Sequence, residues 1–444
     1  MIRRISRNRF DIIAGYARHP NVTRLAKEIG WFEVDSPHLV GAVIVDTDGE
    51  FSGIVFAPDL SERFRWVDQT RFLPTRAQAE SKLEEHLASA TRDYERLRVQ
   101  GDEPAPMDFF TPIAPTGRLH ETFSVLAANA SYSAARQVVE LMMRWCHDQD
   151  GNFVEQFQTT GFDARIWELY LFATLIEAGY VVDQPNPAPD FKAIGLDGSF
   201  LVEATTINPS QDGTATPRPT LESSRREVDA YLQHYLPIRY AGPLTAKLRK
   251  RYWEHPDAVG LPLTFAIQDF HDDFAMTYSG TALSVYLYGK VVDVDTGPAG
   301  DPKVTTITHH RWGNKKIDSG FFYQADAENI SAVLFNAGGT LPKFNRIGVA
   351  TGFGSPDVTL MHEGFRYLGE PPERTRFSVE VKEGYPERWI DGMNVFHNPN
   401  AIHPLDPELL PGAAHHRWNN DRFESAVPVS HLESSRTMIL VRRQ

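Results

Sequence analysis

Residues 161–208 read GFDARIWELYLFATLIEAGYVVDQPNPAPDFKAIGLDGSFLVEATTIN, and this stretch decides the fold. Its first part predicts a helix, with Asp163 as a favourable N-cap and Gly179 as a favourable C-terminal stop. Apolar residues cover nearly the whole circumference of that helix, which indicates that it is buried. Glu168 is therefore a carboxylate on a helix that we expect to be surrounded by apolar neighbours.

Three short β-type runs follow the helix, at residues 180–183, 190–194 and 199–207. The sequence Gly-Leu-Asp-Gly between the last two runs is typical of a hairpin turn. Such a turn places Asp190 opposite Glu203, with Cβ atoms roughly 4.5–5.5 Å apart. Two carboxylates that meet across a hairpin repel each other. A divalent cation would compensate, because hard oxygen ligands suit Mg²⁺ or Mn²⁺.

The order of these acidic residues resembles that of the PD-(D/E)xK nucleases. Pro189-Asp190 and then Glu203-Ala204-Thr205 follow a helix that carries Glu168, as in the restriction-endonuclease-like core of that family. The resemblance covers about residues 163–270. It implies a small α/β unit built from this helix, the hairpin and a later helix–strand pair. The sequence departs from the family at Thr205, where the pattern has lysine.

The resemblance also implies a mechanism. Asp190 and Glu203 are expected to ligate one Mg²⁺ or Mn²⁺, which lowers the pKa of a bound water and polarises the scissile phosphate. Glu168 is expected to contribute through a water, a second metal or the positioning of the first metal. Thr205 lies on the same strand face as Glu203, so it can offer a hydroxyl group but no positive charge.

Lys192 and Lys250 are the two candidates for the positive charge that is missing at Thr205. Lys192 lies on the same face of the hairpin as Asp190, and Lys250 lies on a helix that we expect to begin at Pro243. That helix carries a basic cluster, which consists of Lys247, Arg249, Lys250 and Arg251. The cluster is interpreted as a grip on a nucleic-acid backbone, as the source of a lysine that replaces the one missing at Thr205, or as a solvated face paired with acidic neighbours such as Glu254.

Each acidic residue also has a purely structural interpretation. Glu168 follows Arg165 at helical spacing and can form a salt bridge with it. Asp190 can cap the turn at the entry of its strand. Glu203 is harder to explain in this way, because glutamate is rarely buried unless it is paired. The three residues together, in the order of the family, carry more weight than any one of them.

Length and composition bound the fold. The chain has 444 residues, 41% hydrophobic and 23% charged, which is typical of a globular protein with more than one domain. The predicted class is α/β in the core and α+β overall. We expect a mixed-sheet nuclease-like core at residues 106–290. An α+β region at residues 1–105 and an irregular, β-containing extension at residues 291–444 flank it.

Charge and cysteine content exclude several classes of protein. A net charge of −13 disfavours a protein that coats nucleic acid broadly, so phosphate binding requires a local basic patch. Cys146 is the single cysteine, which excludes a disulfide framework and a cysteine-based zinc site. No apolar run approaches the roughly 20 residues of a membrane span. We therefore expect a cytoplasmic protein without a membrane partner.

The sequence favours a metal-dependent nuclease, with DNA a better candidate substrate than RNA, in a prokaryotic defence or repair system. A homodimer is possible. The alternative is a catalytically inactive relative that binds nucleic acid or a protein partner, with Thr205 as the mark of lost activity. A third and weaker hypothesis is a histidine-metal hydrolase that uses C-terminal histidines, namely His309, His310, His397, His403, His415 and His416.

Overall fold

The computed structural model describes the chain apart from residues 147–150, 186–187, 210–218, 221, 273–274, 276–278, 294–302, 420–421 and 443–444. Helices and strands are mixed throughout the described residues, and the largest sheet contains both parallel and antiparallel pairs. The expected α+β class is therefore confirmed. Within the same residues, no helix combines the length and the apolar character that crossing a membrane requires.

The helices are α1 (Arg7–Ala14), α2 (Pro20–Leu25), α3 (Arg76–Arg92), α4 (Tyr94–Leu97), α5 (Glu121–Ala128), α6 (Ser133–Met143), α7 (Phe153–Gln158), α8 (Phe162–Glu177), α9 (Arg225–Ala230), α10 (Leu236–Leu248), α11 (Ser279–Tyr288) and α12 (Leu341–Ala350). The first ten strands are β1 (Ile2–Ile5), β2 (Ala26–Val34), β3 (Leu39–Asp46), β4 (Phe51–Pro58), β5 (Phe64–Gln69), β6 (Val181–Asp183), β7 (Phe191–Ile194), β8 (Ser199–Ile207), β9 (Leu263–Asp269) and β10 (Lys290–Asp293). The others are β11 (Lys303–Thr306), β12 (His309–Trp312), β13 (Lys315–Asp318), β14 (Ala332–Phe335), β15 (Val358–Leu368), β16 (Glu373–Val381), β17 (Asn394–His397), β18 (Ala414–Asn419), β19 (Arg422–Ala426) and β20 (Leu432–Val441).

The N-terminal region is an antiparallel sheet in the order β1-β2-β3-β4-β5 with α3 packed on one face. Leu83 of α3 is fully buried there. A Cβ atom at Gly53 of β4 would lie 2.8 Å from the Cβ of Leu83, so glycine permits this close packing. Phe10 and Ile13 of α1 pack on the other face.

The largest sheet of the described chain has the strand order β19-β18-β17-β14-β9-β8-β7-β6. Strand β9 is buried along its whole length and pairs in parallel with β8 on one side and β14 on the other. A buried strand needs hydrogen-bonding neighbours on both edges, and β14 supplies the second edge. The sheet thus continues beyond residue 290, and the expected division at that residue does not separate two sheets.

Two layers of helices cover this sheet. Along β8, Phe200, Val202 and Ala204 face the layer that contains α6 and α8, and Leu201 and Ile207 face the layer that contains α10 and α11. This alternation has the period of two that a strand imposes. Glu203 therefore points towards α10. As expected, α8 is buried on almost every side.

Helix α10 differs from the expectation that a helix begins at Pro243. It begins at Leu236, follows α9 and a π-helical turn at Tyr231–Tyr235, and continues through Pro243. A proline inside a helix removes a backbone hydrogen bond. Here the helix is held across that point by a fully packed face with four-residue spacing, formed by Leu236, Tyr240, Leu244 and Leu248.

Candidate active site

The β7–β8 hairpin has the register that the turn at residues 195–198 predicts. Ile194 pairs with Ser199 and Phe191 with Val202, so Asp190 comes next, opposite Glu203. The backbone N–H of Asp190 donates to Oε2 of Glu203 at 3.2 Å. The carboxylate of Asp190 accepts from the backbone N–H of Ala204 at 2.7 Å. The two acidic residues thus meet where the ladder of strand pairs ends.

Glu203 is buried, with 3% of its surface exposed. Its Oε1 accepts hydrogen bonds from the ammonium of Lys247 and from the hydroxyl of Tyr252, the latter at 2.5 Å. Together with the Asp190 N–H on Oε2, these contacts give both oxygens of the carboxylate a donor. These partners satisfy the hydrogen-bonding capacity of a carboxylate in a position that water hardly reaches.

Lys247 is the cation that the structure brings to the acidic pair. It projects from the last turn of α10 and lies between two buried leucines, Leu244 and Leu248, in the helical pattern. This spacing is the signal in the sequence that points Lys247 towards the sheet. The sequence pattern left the choice open between Lys192 and the lysines of the basic cluster and favoured Lys250 within that cluster.

Lys192 and Lys250 lie elsewhere. Lys192 is half-buried on β7 and pairs through its backbone with Leu201 and Asp183. The ammonium of Lys250 lies 5.8 Å from the centre of the Tyr252 ring. Among the described residues, neither lysine forms a hydrogen bond or a salt bridge with Asp190 or Glu203.

Glu168 makes the salt bridge that its structural interpretation predicts, and its carboxylate also interacts electrostatically with the acidic pair. It forms a salt bridge with Arg165 at 2.5 Å, one turn earlier on α8. Arg165 also donates to Gln156 and lies 5.1 Å from the ring centre of Phe153. Burial raises the pKa of Glu168, and the charge of Glu203 raises it further, although Arg165 and Lys247 act in the opposite direction.

The raised pKa of Asp190 shows most clearly that negative charges are crowded at this site. Burial, followed by the charges of Glu203 and Glu168, raises its pKa to about 7. Lys247 and the N–H of Ala204 oppose this rise without cancelling it. Three carboxylates therefore interact at this site with two cations, Lys247 and Arg165, and negative charge remains in excess.

The donor set suits a hard divalent cation. Asp190 and Glu203 face each other across the hairpin, and a cation that replaced donors now on Glu203 would relieve the repulsion that, after burial, raises the pKa of Asp190. Among the described residues, no three histidine, cysteine, aspartate or glutamate side chains form a ready-made metal cluster. Mg²⁺ does not require one, because it commonly binds through one or two carboxylates and keeps several waters. The residues present therefore fit Mg²⁺ or Mn²⁺.

Thr205 occupies the position of the family lysine. It lies on β8 two residues beyond Glu203, is half-buried and pairs through its backbone with Ile267 of β9. No partner of its hydroxyl group is found among the described residues. A hydroxyl group at this position can donate to a water or a phosphate oxygen, but it carries no charge.

The residues of the basic cluster at the end of α10 lie in different environments. Lys247 belongs to the acidic site, and Arg251 forms salt bridges with Glu254 at 2.6 Å and with Asp326 at 3.1 Å. The solvated-face interpretation therefore describes Arg251 well. Arg249 and Lys250 are exposed, and no carboxylate pairs with either of them in the described part of the chain.

Among these C-terminal histidines, His309 lies 3.3 Å from a carboxylate oxygen of Asp318, and none of the others pairs with a carboxylate in the described part of the chain. His397 and His415 bond to each other at 2.9 Å, and His416 bonds to Ser425 and Asn394. Burial lowers the pKa of His397 to about 4 and that of His416 to about 3. The remaining three are separate: His403 and His309 are exposed, and His310 bonds to the carbonyl of Gln233.

Comparison of this chain with models of protein families found no matching family, and comparisons with curated proteins and with solved structures found no match either. The function is therefore inferred from the side chains themselves, above all from the carboxylate pair at the end of the hairpin and the lysine that contacts it.

Proposed function

We propose that this protein is a Mg²⁺- or Mn²⁺-dependent nuclease of the PD-(D/E)xK type, with its active site at Asp190 and Glu203. One observation carries the proposal: the ammonium of Lys247 bonds to the same carboxylate that faces Asp190 across the hairpin. The positive charge that the sequence lacks at Thr205 is thereby supplied from α10. This combination of two acids and a lysine is the set that the family uses.

In this proposal, Asp190 and Glu203 hold the metal ion. When bound, the ion lowers the pKa of a water and polarises a phosphate group. Lys247 stabilises negative charge that develops on the scissile phosphate, because an ammonium in a partly buried site interacts strongly with an anion. Tyr252 holds Glu203 in position through its hydroxyl group. The carboxylate of Glu168, with its raised pKa, accepts a proton more readily than an exposed glutamate does.

The proposed substrate is DNA rather than RNA. Arg249 and Lys250 are exposed beside Lys247 and can contact phosphates of the same strand. The net charge of −13 confines such contacts to local patches of this kind. We place the activity in a prokaryotic defence or repair system on the basis of the family resemblance alone.

A second candidate is an inactive member of the same fold that binds nucleic acid or a protein. The observation in its favour is that both oxygens of Glu203 already have donors, from Lys247, Tyr252 and Asp190. In such a protein Lys247 replaces the metal ion permanently. Thr205 then marks the loss of activity.

A cleavage assay separates the two candidates. The full chain is incubated with supercoiled plasmid, single-stranded DNA and RNA, with Mn²⁺, with Mg²⁺ and with a chelator. We expect metal-dependent cleavage of at least one DNA substrate by the wild type and none by Glu203→Gln. Glu254→Gln is the matched control, since Glu254 is exposed and pairs with Arg251. Equal behaviour of the wild type and Glu203→Gln on every substrate would refute the catalytic proposal.

A further inference from the structure

The hairpin of β12 and β13 is a basic ribbon in an acidic protein. Residues 309–318 read HHRWGNKKID, with three arginine or lysine side chains and one carboxylate. The whole chain has the opposite balance, with 45 lysines and arginines against 58 aspartates and glutamates. Arg311, Lys315 and Lys316 are exposed, and no carboxylate of the described chain pairs with any of them. The carboxylate of the hairpin, Asp318, instead lies 3.3 Å from His309.

Two of these cations face each other across the hairpin. Arg311 is the register partner of Lys316, next to the pair of Trp312 and Lys315 that flanks the turn. Directly opposed residues project from the same face, with Cβ atoms roughly 4.5–5.5 Å apart. Like charges at such positions repel each other and destabilise the pairing of the strands. An anion that binds to both cations would relieve this repulsion.

The opposite face of the hairpin is anchored to the protein. His310 is fully buried and bonds to a carbonyl of the π-helical turn before α10. The ring of Trp312 lies 5.3 Å from that of Tyr235, at the end of the same turn. Successive side chains of a strand point to opposite faces, so Arg311 and Lys316 point away from this anchor. The cation pair is therefore presented to solvent on a fixed base.

The hairpin and the acidic site lie along the same helix. Trp312 packs on Tyr235 directly before α10, and Lys247 in the last turn of α10 contacts Glu203. Lys247 follows Tyr235 by twelve positions, which corresponds to roughly 18 Å along a helix. A duplex covers this distance in about five base pairs, at roughly 3.4 Å each. Because a duplex is stiff over so short a length, its phosphates keep a fixed spacing between the two places.

We propose that the outer face of the β12–β13 hairpin binds the phosphate backbone of duplex DNA through Arg311 and Lys316. The inference rests on the proposed function for its choice of DNA, and it names the duplex as the form of the substrate. A duplex carries one negative charge per roughly 1.7 Å of its axis, which suits a pair of cations that repel each other. Arginine binds phosphate oxygens through two parallel N–H bonds, and lysine adds a second charge. Such contacts position the duplex without reading its sequence.

The test measures the affinity of the full chain for a short fluorescent duplex by anisotropy, with a chelator present so that no metal-dependent cleavage occurs. We expect the double variant Arg311→Gln, Lys316→Gln to bind at least tenfold more weakly than the wild type. The loss of two phosphate contacts should also reduce the slope of log affinity against log salt by about 2. The loss of affinity should be smaller on the single strand, which does not hold its phosphates at a fixed spacing.

The matched control is the double variant Lys27→Gln, Arg376→Gln, which changes the net charge by the same amount. Lys27 of β2 and Arg376 of β16 are exposed on strands of other sheets. Neither has a carboxylate partner among the described residues. We expect the control variant to bind the duplex as tightly as the wild type, because its cations lie outside the hairpin.

The melting temperature separates DNA binding from a structural role of the two cations. Removal of two like charges that face each other should leave the melting temperature of the hairpin variant unchanged or raise it. Lysine on an open strand also guards against pairing with other chains. That role predicts aggregation of the hairpin variant without a loss of DNA affinity.

Aggregation with unchanged affinity would therefore overturn the proposal, and so would a fall in the melting temperature of the hairpin variant. Equal losses in the hairpin and control variants, or on the duplex and the single strand, would also overturn it. The same holds for a wild type that does not bind the duplex at low salt. Failure of the nuclease proposal would appear separately, in the cleavage assay with metal.

Discussion

Lys247 donates a hydrogen bond to Oε1 of Glu203, although 44 residues separate the two in the chain. The contact exists because α10 packs on the face of β8 from which Glu203 projects. It gives the carboxylate pair at the end of the hairpin a positive charge that comes from a helix instead of from the strand itself. The proposed chemistry depends on this relationship.

Replacement of Lys247 tests that dependence directly. We expect Lys247→Gln to reduce metal-dependent cleavage by about 100-fold or more, which is the usual cost of removing a group that stabilises transition-state charge. Lys250→Gln, three residues further on, should stay within about threefold of the wild type. The measurement is the initial rate at which each variant cleaves the preferred DNA substrate. If both variants lose activity equally, the two lysines act only in binding the backbone.

Asp190 should make the metal-free protein less stable as the pH rises. Its pKa is about 7 in the folded protein and roughly 3.9 in an unfolded chain. Between these values the unfolded chain loses the proton and the folded protein keeps it, so stability falls as pH rises from about 4 to about 7. We expect Asp190→Asn to melt at a higher temperature than the wild type at pH 8 with chelator.

The higher melting temperature of Asp190→Asn relative to the wild type should disappear near pH 4, because residue 190 is then uncharged in both folded proteins. Mn²⁺ should stabilise the wild type at pH 8 and leave Asp190→Asn unchanged, since only the wild type offers the second carboxylate. Asp183→Asn, at an exposed position on the neighbouring strand, is the control. Equal stabilisation of the wild type and Asp190→Asn by Mn²⁺ would exclude Asp190 as a ligand.

The parts of the site that local pattern determines could be predicted from the sequence. The turn at residues 195–198 and the period-two alternation were sufficient to place Asp190 opposite Glu203, because both act over a few residues. The same holds for the buried character of α8. Lys247 was placed in a basic cluster because three neighbouring cations dominate the pattern there. Its position beside buried Leu244 and Leu248 was the better guide.

Longer-range features were not predictable in this way. The pairing of β9 with β14 joins residues 68 positions apart, and no local pattern records which strand completes the second edge of β9. The continuation of the sheet beyond residue 290 could not be predicted for this reason. Pro243 was interpreted as a helix start because proline is common there, but tertiary packing of Tyr240 and Leu244 carries α10 through it.

His310 should contribute to acid unfolding. It is fully buried, and burial lowers its pKa to about 4, below the value of roughly 6.5 in an unfolded chain. As the pH falls from 6.5 to 4, the unfolded chain takes up a proton that the folded protein excludes, so stability falls. One such histidine accounts for a slope of at most about 1.4 kcal/mol per pH unit.

We expect His310→Leu to reduce the dependence of the unfolding free energy on pH between 6 and 4.5, measured by urea titration. His309→Leu is the matched control, because His309 is the adjacent residue and its side chain is 43% exposed on the opposite face of β12. A slope that stays the same in His310→Leu, or that changes equally in both variants, would contradict the burial argument.

Gly348 marks a close contact between α12 and α6, the pair of helices that supports the layer beneath α8. A Cβ atom at Gly348 would lie 2.8 Å from the carbonyl oxygen of Ala134, a backbone atom that cannot move without shifting α6. We expect Gly348→Ala to lower the free energy of unfolding by about 1–3 kcal/mol, as overpacking does.

Gly242→Ala should have the opposite effect, because Gly242 is exposed within α10 and nothing lies within 4 Å of its added Cβ. Alanine there should stabilise the protein by about 0.5–1 kcal/mol through helix propensity. Urea unfolding of both variants compares the two effects, and a neutral Gly348→Ala would mean that α6 and α12 are not in backbone contact.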